Sequence, residues 1–239
     1  FRARKLKSFP SRLTMQPRIL QVRQRILKKN DEQARALRQR FEEARVLVVS
    51  LVSSPGAGKT ALLRQTLIKL ANTHRIAALV GDLATENDAK RLAESGVPVK
   101  QIITGTVCHL EAEMVESALA DWDLSQLDIL FIENVGNLVC PASYDLGEAL
   151  RVVLFSTTEG EDKPLKYPTI FNTADVAIIT KIDLAGVVGF DRRTAHESIQ
   201  NVRPGMNILE LSARSGEGME AWIQLIQSRI TKAEPMHAH

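Results

Sequence analysis

Two sets of residues in this chain have types and spacing that support chemistry. The first is the run Ser53-Ser54-Pro55-Gly56-Ala57-Gly58-Lys59-Thr60, followed by Ala61. Gly56 and Gly58 free the backbone to bend around a phosphate with its amides turned inward. Lys59 has the reach to engage β- and γ-phosphates, and the Thr60 hydroxyl suits Mg²⁺. The general pattern has glycine where Ser53 stands, but that residue leaves a strand and need not touch phosphate. A chance glycine-rich turn could carry the same letters. The strand-like run before it and the helical pattern after it argue for a phosphate loop.

A Mg²⁺–phosphate site also needs carboxylates at the ends of neighbouring strands. Asp82 and Glu133 each follow an apolar run, and Gly136 lies three residues beyond Glu133, where its amide can meet a γ-phosphate. Asp82 taken alone also fits a helix-capping acid. The catalytic candidates are therefore Lys59, Asp82 and Glu133, with Thr60, Asp82 and Glu133 as the magnesium set. Base choice falls to Thr180-Lys181-Ile182-Asp183. A carboxylate at Asp183 can accept both N–H groups on one edge of guanine, and the Lys181 stem can lie over the base. Thr180 stands where GTPases usually have Asn, so an amide that ties loops together is expected to be lost. Ser212-Ala213 is placed to offer a backbone amide to the guanine carbonyl. Together these favour GTP and GDP over adenine nucleotides.

The second set is Cys108-His109, read as opening a helix, and Cys140, seven residues after Glu133. Thiolate and imidazole are ligands for Zn²⁺ or Ni²⁺. By spacing alone, two distant cysteines equally describe buried, inert thiols. Three ligands leave the fourth position to water or a second chain. Cys140 lies on the segment that a γ-phosphate would move, so a metal there would feel the nucleotide state.

These residues need a frame that aims strand ends at one place. Nearly continuous β-branched runs at 46–52, 76–80, 127–132, 150–155 and 176–180, with a short one at 207–211, read as strands buried on both faces. Helical patterns lie at 59–72, 86–95, 110–120, 191–202 and 218–231. The alternation predicts an α/β fold, a mostly parallel sheet with helices on both faces, of the P-loop NTPase kind. Residues 18–44 read as an N-terminal helical segment that Asn30-Asp31 breaks in two, one of them capping the second piece. The expected divisions are a basic tail at 1–14, disordered or non-native, with Met15 as a natural start; a helical segment at 15–45; a GTPase domain at 46–232; and a flexible tail at 233–239.

Composition sets the outer bounds. The 239 residues are 44% hydrophobic and 25% charged, as in an ordinary globular protein. The net charge of +3 owes five positive charges to the first fifteen residues, leaving the remainder at about −2. A nucleic-acid-binding field over the body is not indicated. No stretch approaches the roughly 18 apolar residues of a membrane span. Two cysteines are no disulfide framework, which points to a reducing cytoplasm. The acids Asp145, Glu159, Glu161 and Asp162 read as loop or cap acids, and the charged stretch from Glu159 to Tyr167 as solvated.

The sequence resembles the hydrogenase nickel-incorporation GTPase family, HypB, a SIMIBI-class group, over about residues 18–231. The resemblance is carried by the phosphate loop, Gly81-Asp82 with Thr85 and Asp88-Ala89, Cys108-His109-Leu110, the string Glu133-Asn134-Val135-Gly136-Asn137-Leu138-Val139-Cys140-Pro141, the stretch Glu159 to Pro168, and Thr180 to Asp183. It implies slow hydrolysis of GTP to GDP and phosphate, a GTP-dependent homodimer, and a metal site at Cys108, His109 and Cys140. It also implies a HypA-type hydrogenase maturation zinc protein as partner, and, indirectly, the hydrogenase large-subunit precursor. The N-terminal cysteine cluster or His-rich nickel store of some members has no counterpart here, since no cysteine precedes Cys108. Two alternatives stand beside this reading. One is a maturation GTPase for another metalloenzyme such as urease, where a Cys-Pro-His string would be expected. The other is a non-catalytic guanine-nucleotide-dependent dimerisation scaffold.

Overall fold

The structure, a computed structural model, describes residues 18–82, 89 and 92–233. The expected tail at 1–14, all of the expected tail at 233–239 except Ala233, which ends the last helix, and Met15, Thr85, Asp88 and half of the helix expected over 86–95 lie outside the described residues.

Seven strands form one sheet in the order β3-β2-β4-β1-β5-β6-β7. They are β1 (Leu47–Ser53), β2 (Ile76–Asp82), β3 (Val99–Ile103), β4 (Ile129–Glu133), β5 (Leu150–Ser156), β6 (Val176–Thr180) and β7 (Asn207–Glu210). Every pairing is parallel. The β1 backbone is buried along its whole length between β4 and β5, which explains its run of β-branched residues on both faces. The strand β3 was not anticipated. It is an edge strand, only part-buried, and Lys100 and Gln101 interrupt its apolar run.

Helices cover both faces. On one face, α2 (Lys59–Leu70) and the C-terminal α8 (Met219–Ala233) pack on Val49, Leu51, Phe131 and Leu154. The Trp222 indole N–H on α8 donates to Thr66 Oγ1 on α2 across 2.8 Å inside this layer. On the other face, α1 (Arg18–Ala44) and α3 (Ala112–Ala118) pack on Val48, Leu79 and Leu130. Farther along it, α5 (Pro168–Thr173) and α7 (Arg192–Val202) pack on Val153, Phe155 and Ile179. Two further short helices are α4 (Lys163–Lys166) and α6 (Ala185–Val188).

The N-terminal helix corrects an expectation, because Asn30-Asp31 does not break it. Asparagine disrupts a helix when its side chain turns back onto local backbone. Here the Asn30 amide is engaged elsewhere, with Ala112 N and Asp145 O, both at 2.9 Å. The helix stops one turn after Phe41. Arg45 takes the left-handed conformation (φ 57°), Arg45 N–H bonds Glu42 O, and Val46 N–H bonds Phe41 O. That pair of bonds is the Schellman closure, with arginine where glycine is usual.

Candidate functional site

The carboxyl ends of β1, β2, β4 and β6 converge on two adjoining cavities. Parallel strands all present the same end, so the loops that follow them meet at one edge of the sheet. The first cavity, about 470 Å³, is lined by Pro55, Gly56, Gly58, Lys59, Thr60, Ala61, Asp82, Glu133 and Gly136, among others. It brings together the phosphate loop and both acids named from sequence. Gly58 closes the loop at φ 98° as the residue before α2, a conformation glycine adopts without strain. Lys59 is buried, and its ammonium donates to Ser53 Oγ at 2.9 Å. The serine in the pattern's glycine position thus holds the loop lysine. Thr60 Oγ1 donates to Glu133 Oε1 at 2.7 Å, placing the hydroxyl and carboxylate of the magnesium set side by side. Gly136 lies against the loop, and a Cβ there would come within 3.1 Å of Pro55 Cα.

The second cavity, about 300 Å³, is lined by Thr180, Lys181, Asp183, Ser212, Ala213 and, unanticipated, Leu62, Leu184, Leu211 and Arg214. It shares Gly58 and Ala61 with the first, so a nucleotide can span the two. Two features correct the sequence reading. Thr180 keeps the tie expected to be lost: its hydroxyl donates to Ala57 O at 2.6 Å and lies 3.3 Å from Phe155 O. A hydroxyl suffices where an amide is usual because the β6 end runs directly beneath the loop. Lys181 adds a second tie, donating to Gly56 O at 2.7 Å. Ser212 N–H is already engaged by Glu217 O at 2.9 Å, which leaves Ala213 as the better amide for a base.

The metal candidates are brought together from two loops. Cys108 and His109 do not open α3; they precede its N-cap, Glu111. Cys140 starts a short 3-10 turn, Cys140–Ser143. The two sulfurs lie 2.9 Å apart, and one ligand atom from each of Cys108, His109 and Cys140 falls within 4.8 Å of the others. His109 is buried and packed against Tyr144, with ring centroids 3.9 Å apart and planes tilted by 36°. Neither ring nitrogen has a hydrogen-bond partner. Nε2 stands 3.4 Å from Glu111 Oε1, a distance without hydrogen-bond alignment. Burial holds the imidazole below its usual pKa against the opposing pull of Glu111, favouring the neutral, ligating form. The Cys140 thiol is pushed up, first by its hydrogen bond with Cys108 and then by burial. A buried imidazole with orphaned nitrogens beside two free thiols suits a soft or borderline divalent ion.

Three asparagines hold these loops, a role the sequence reading gave to none of them. Asn134 Oδ1, next to Glu133, accepts from Leu110 N and Val135 N. Asn137 Nδ2 donates to Cys108 O at 3.3 Å. Asn30 bridges Ala112 and Asp145. Asn134 and Asn137 stood within the string Glu133 to Pro141, whereas Asn30, set among charged residues, gave no advance signal of this role. The stretch Glu159–Tyr167 departs from the solvated reading in part. Glu159 caps its own turn through Ser156 N–H and pairs with Lys163 at 3.0 Å, both side chains mostly shielded. Burial pushes its carboxyl up, but the bonds from Ser156, Ser54 and Lys163 outweigh that and leave it below the usual range. Lys166 and Asp162 stay exposed. His196 sits on α7 against Glu210, and His74 beside Thr73, both away from the cavities.

Comparison with known proteins follows the same lines. The family model described as CobW/HypB/UreG, nucleotide-binding domain, matches residues 46–210. The hydrogenase maturation factor HypB of Azotobacter vinelandii is 49% identical over 212 residues, covering 89% of this chain and 70% of that protein. The hydrogenase/urease maturation factor HypB of Helicobacter hepaticus is 41% identical over 224 residues, covering 92% and 91%. Among solved structures, HypB from Helicobacter pylori in complex with nickel is 39% identical with a TM-score of 0.80, covering 88% of this chain and all of that one. Among the described residues, no helix is long and apolar enough to cross a membrane.

Proposed function

The chain belongs to the HypB hydrogenase maturation factors within the CobW/HypB/UreG nucleotide-binding family, and on that premise we propose that it is a GTP-hydrolysing metallochaperone that serves nickel insertion into [NiFe]-hydrogenase. In this reading residues 46–232 are the GTPase domain and 15–45 a helical segment docked on it. Pro55 to Ala61 cradle the phosphates, and Lys59 turns from Ser53 to the β- and γ-phosphates. Thr60, Glu133 and Asp82 hold Mg²⁺, which would neutralise developing phosphoryl charge. Asp82 also positions the attacking water. Lys181 and Asp183 select guanine, and Ala213 reaches the base carbonyl. The products are GDP and phosphate, formed slowly.

Cys108, His109 and Cys140 bind Ni²⁺ as cargo, or Zn²⁺ in its place, with the fourth position left to water or a second subunit. GTP draws two subunits together across the phosphates, and a HypA-type zinc protein in the cytoplasm exchanges nickel with the dimer on its way to the hydrogenase large-subunit precursor. One observation carries this reading. The segment that leaves the phosphate cavity at Glu133 arrives seven residues later at Cys140, in contact with Cys108. A change at the phosphates is therefore delivered to the metal ligands through a few bonded residues.

The test is nickel affinity, by competition with a chromogenic chelator, with GDP and with a non-hydrolysable GTP analogue bound. A shift of about tenfold between the two states, roughly 1.4 kcal/mol of coupling, that vanishes in Cys108→Ala and Cys140→Ala supports the proposal. Equal affinity in both states and in all three proteins removes the metal from the account and leaves a GTPase. Urease as a second acceptor is favoured by the double role in the Helicobacter hepaticus relative's name. Rescue of urease as well as hydrogenase in a deletion strain decides that point.

A further inference from the structure

The buried stripe of α1 runs Asn30, Ala34, Leu37, Phe41, a spacing of 4, 3 and 4 residues that keeps one face on the sheet. Three members are apolar, and the first is an asparagine only 3% exposed. A buried amide in an apolar stripe is costly unless both its ends are bonded. Both are. Asn30 Oδ1 accepts from Ala112 N at 2.9 Å, and Asn30 Nδ2 donates to Asp145 O at 2.9 Å.

The two partners belong to the two ligand-bearing loops. Ala112 ends the stretch that starts at Cys108 and His109, and Asp145 ends the stretch that starts at Cys140. One side chain thus spans the gap between the loops behind the thiols. The neighbouring contacts of α1 reinforce each side separately. Lys29 pairs with Glu113 at 2.6 Å, and Arg38 grips both carboxylate oxygens of Asp145 at 2.8 Å. Gly147, at φ 80°, lets the second loop come close enough for this, since a Cβ there would sit 2.8 Å from Ala34 O. All of these α1 residues precede the region 46–210 that matches the common nucleotide-binding domain.

We propose that Asn30 is a positioning residue for the metal site, fastening the Cys108–Ala112 loop to the Cys140–Asp145 loop from a helix outside the nucleotide-binding domain. This rests on the reading of Cys108, His109 and Cys140 as ligands. Without the bridge the loops are still joined through Asn134 to Leu110 and Asn137 to Cys108, but they lose the tie from α1, and the shared geometry of the thiols loosens. The linings of the two nucleotide cavities do not include Asn30.

The experiment compares the parent with Asn30→Ala, Asn30→Asp and Cys140→Ser. Asn30→Asp keeps the acceptor for Ala112 N–H but replaces the donor to Asp145 O with a buried, charged acceptor. Three quantities are measured: Ni²⁺ affinity with GDP bound, GDP affinity, and, without metal, the effective concentration of the Cys108–Cys140 pair in glutathione buffer. In that last assay two protein thiols become one disulfide as one oxidised glutathione becomes two reduced. Asn30→Ala is expected to lower the effective concentration and the nickel affinity by tenfold or more, with GDP affinity within twofold of the parent. Asn30→Asp, which sets two acceptors against each other at Asp145, is expected to lower both as well. Parent-like thiol pairing in Asn30→Ala overturns the proposal. So does a fall in GDP affinity as large as the fall in pairing, which marks general loosening. Should Asn30→Ala not fold, Asn30→Asp decides on the same terms. A parent that binds nickel no better than Cys140→Ser overturns the ligand reading instead, while the metal-free pairing still reports on Asn30.

Discussion

Thr180→Val removes one hydroxyl at the junction of the base-reading segment and the phosphate loop. The side chain is 3% exposed, and its 2.6 Å bond to Ala57 O joins the end of β6 to the middle of the loop. Valine keeps the volume and the β-branching that suits a strand end, so packing changes little. What is lost is a donor to a carbonyl in a buried place, which costs about 1–3 kcal/mol. For a chain of this size each kcal/mol shifts the thermal midpoint by about 2–4 °C, so a fall of about 2–12 °C is expected. Because Ala57 lies in the loop, part of that loss also appears as weaker GDP binding, by a factor on the order of ten. Thr180→Ser restores the hydroxyl and should recover most of both effects. Urea unfolding and titration with a fluorescent GDP analogue measure the two quantities. A Thr180→Val protein with parental stability and parental GDP affinity would refute the claim that this hydroxyl replaces the usual amide.

Gly136→Ala should weaken nucleotide binding more than it lowers stability, because the new methyl meets Pro55 at 3.1–3.2 Å and must push the phosphate loop or the 133–140 segment aside; equilibrium dialysis with GTP and GDP checks this. Leu37→Ala, at a residue 1% exposed between α1 and the sheet, is expected to cost about 2–5 kcal/mol in urea unfolding. Asp145 tests the acid side of stability. Burial raises its carboxyl, but the Arg38 bond and the Gly147 amide prevail and hold it below the usual range. A depressed carboxylate contributes stability in full above its unfolded pKa, near 3.9, and loses it as pH falls through the lower folded value. The gap in urea midpoint between parent and Asp145→Asn should therefore be widest near neutrality and close below about pH 4; a gap that does not change with pH would exclude this assignment.

The legible parts of the fold were those written in local pattern. Continuous β-branched runs marked the central strands because both faces of a parallel sheet are covered. The phosphate loop was legible because its glycines, lysine and threonine act within eight residues. The edge strand β3 was not, since a strand shielded on one side tolerates Lys100 and Gln101. Nor was the unbroken α1, because Asn30 counts as a helix breaker until its partners, 82 and 115 residues away, are in place. Thr180 was misread for the same reason. Its identity suggested a missing amide, while its partner, 123 residues earlier, makes a hydroxyl enough.

By itself the sequence determined the strand–loop–helix order, the residue types available to phosphate, guanine and metal, and the family. Only the tertiary structure decided that Cys108 and Cys140, 32 residues apart, stand 2.9 Å from each other, and that a helix outside the shared domain holds both their loops. Residue types and short-range periodicity are fixed by neighbours along the chain. Distances between loops are fixed by how helices seat on a sheet, where contacts between residues far apart in sequence are first made.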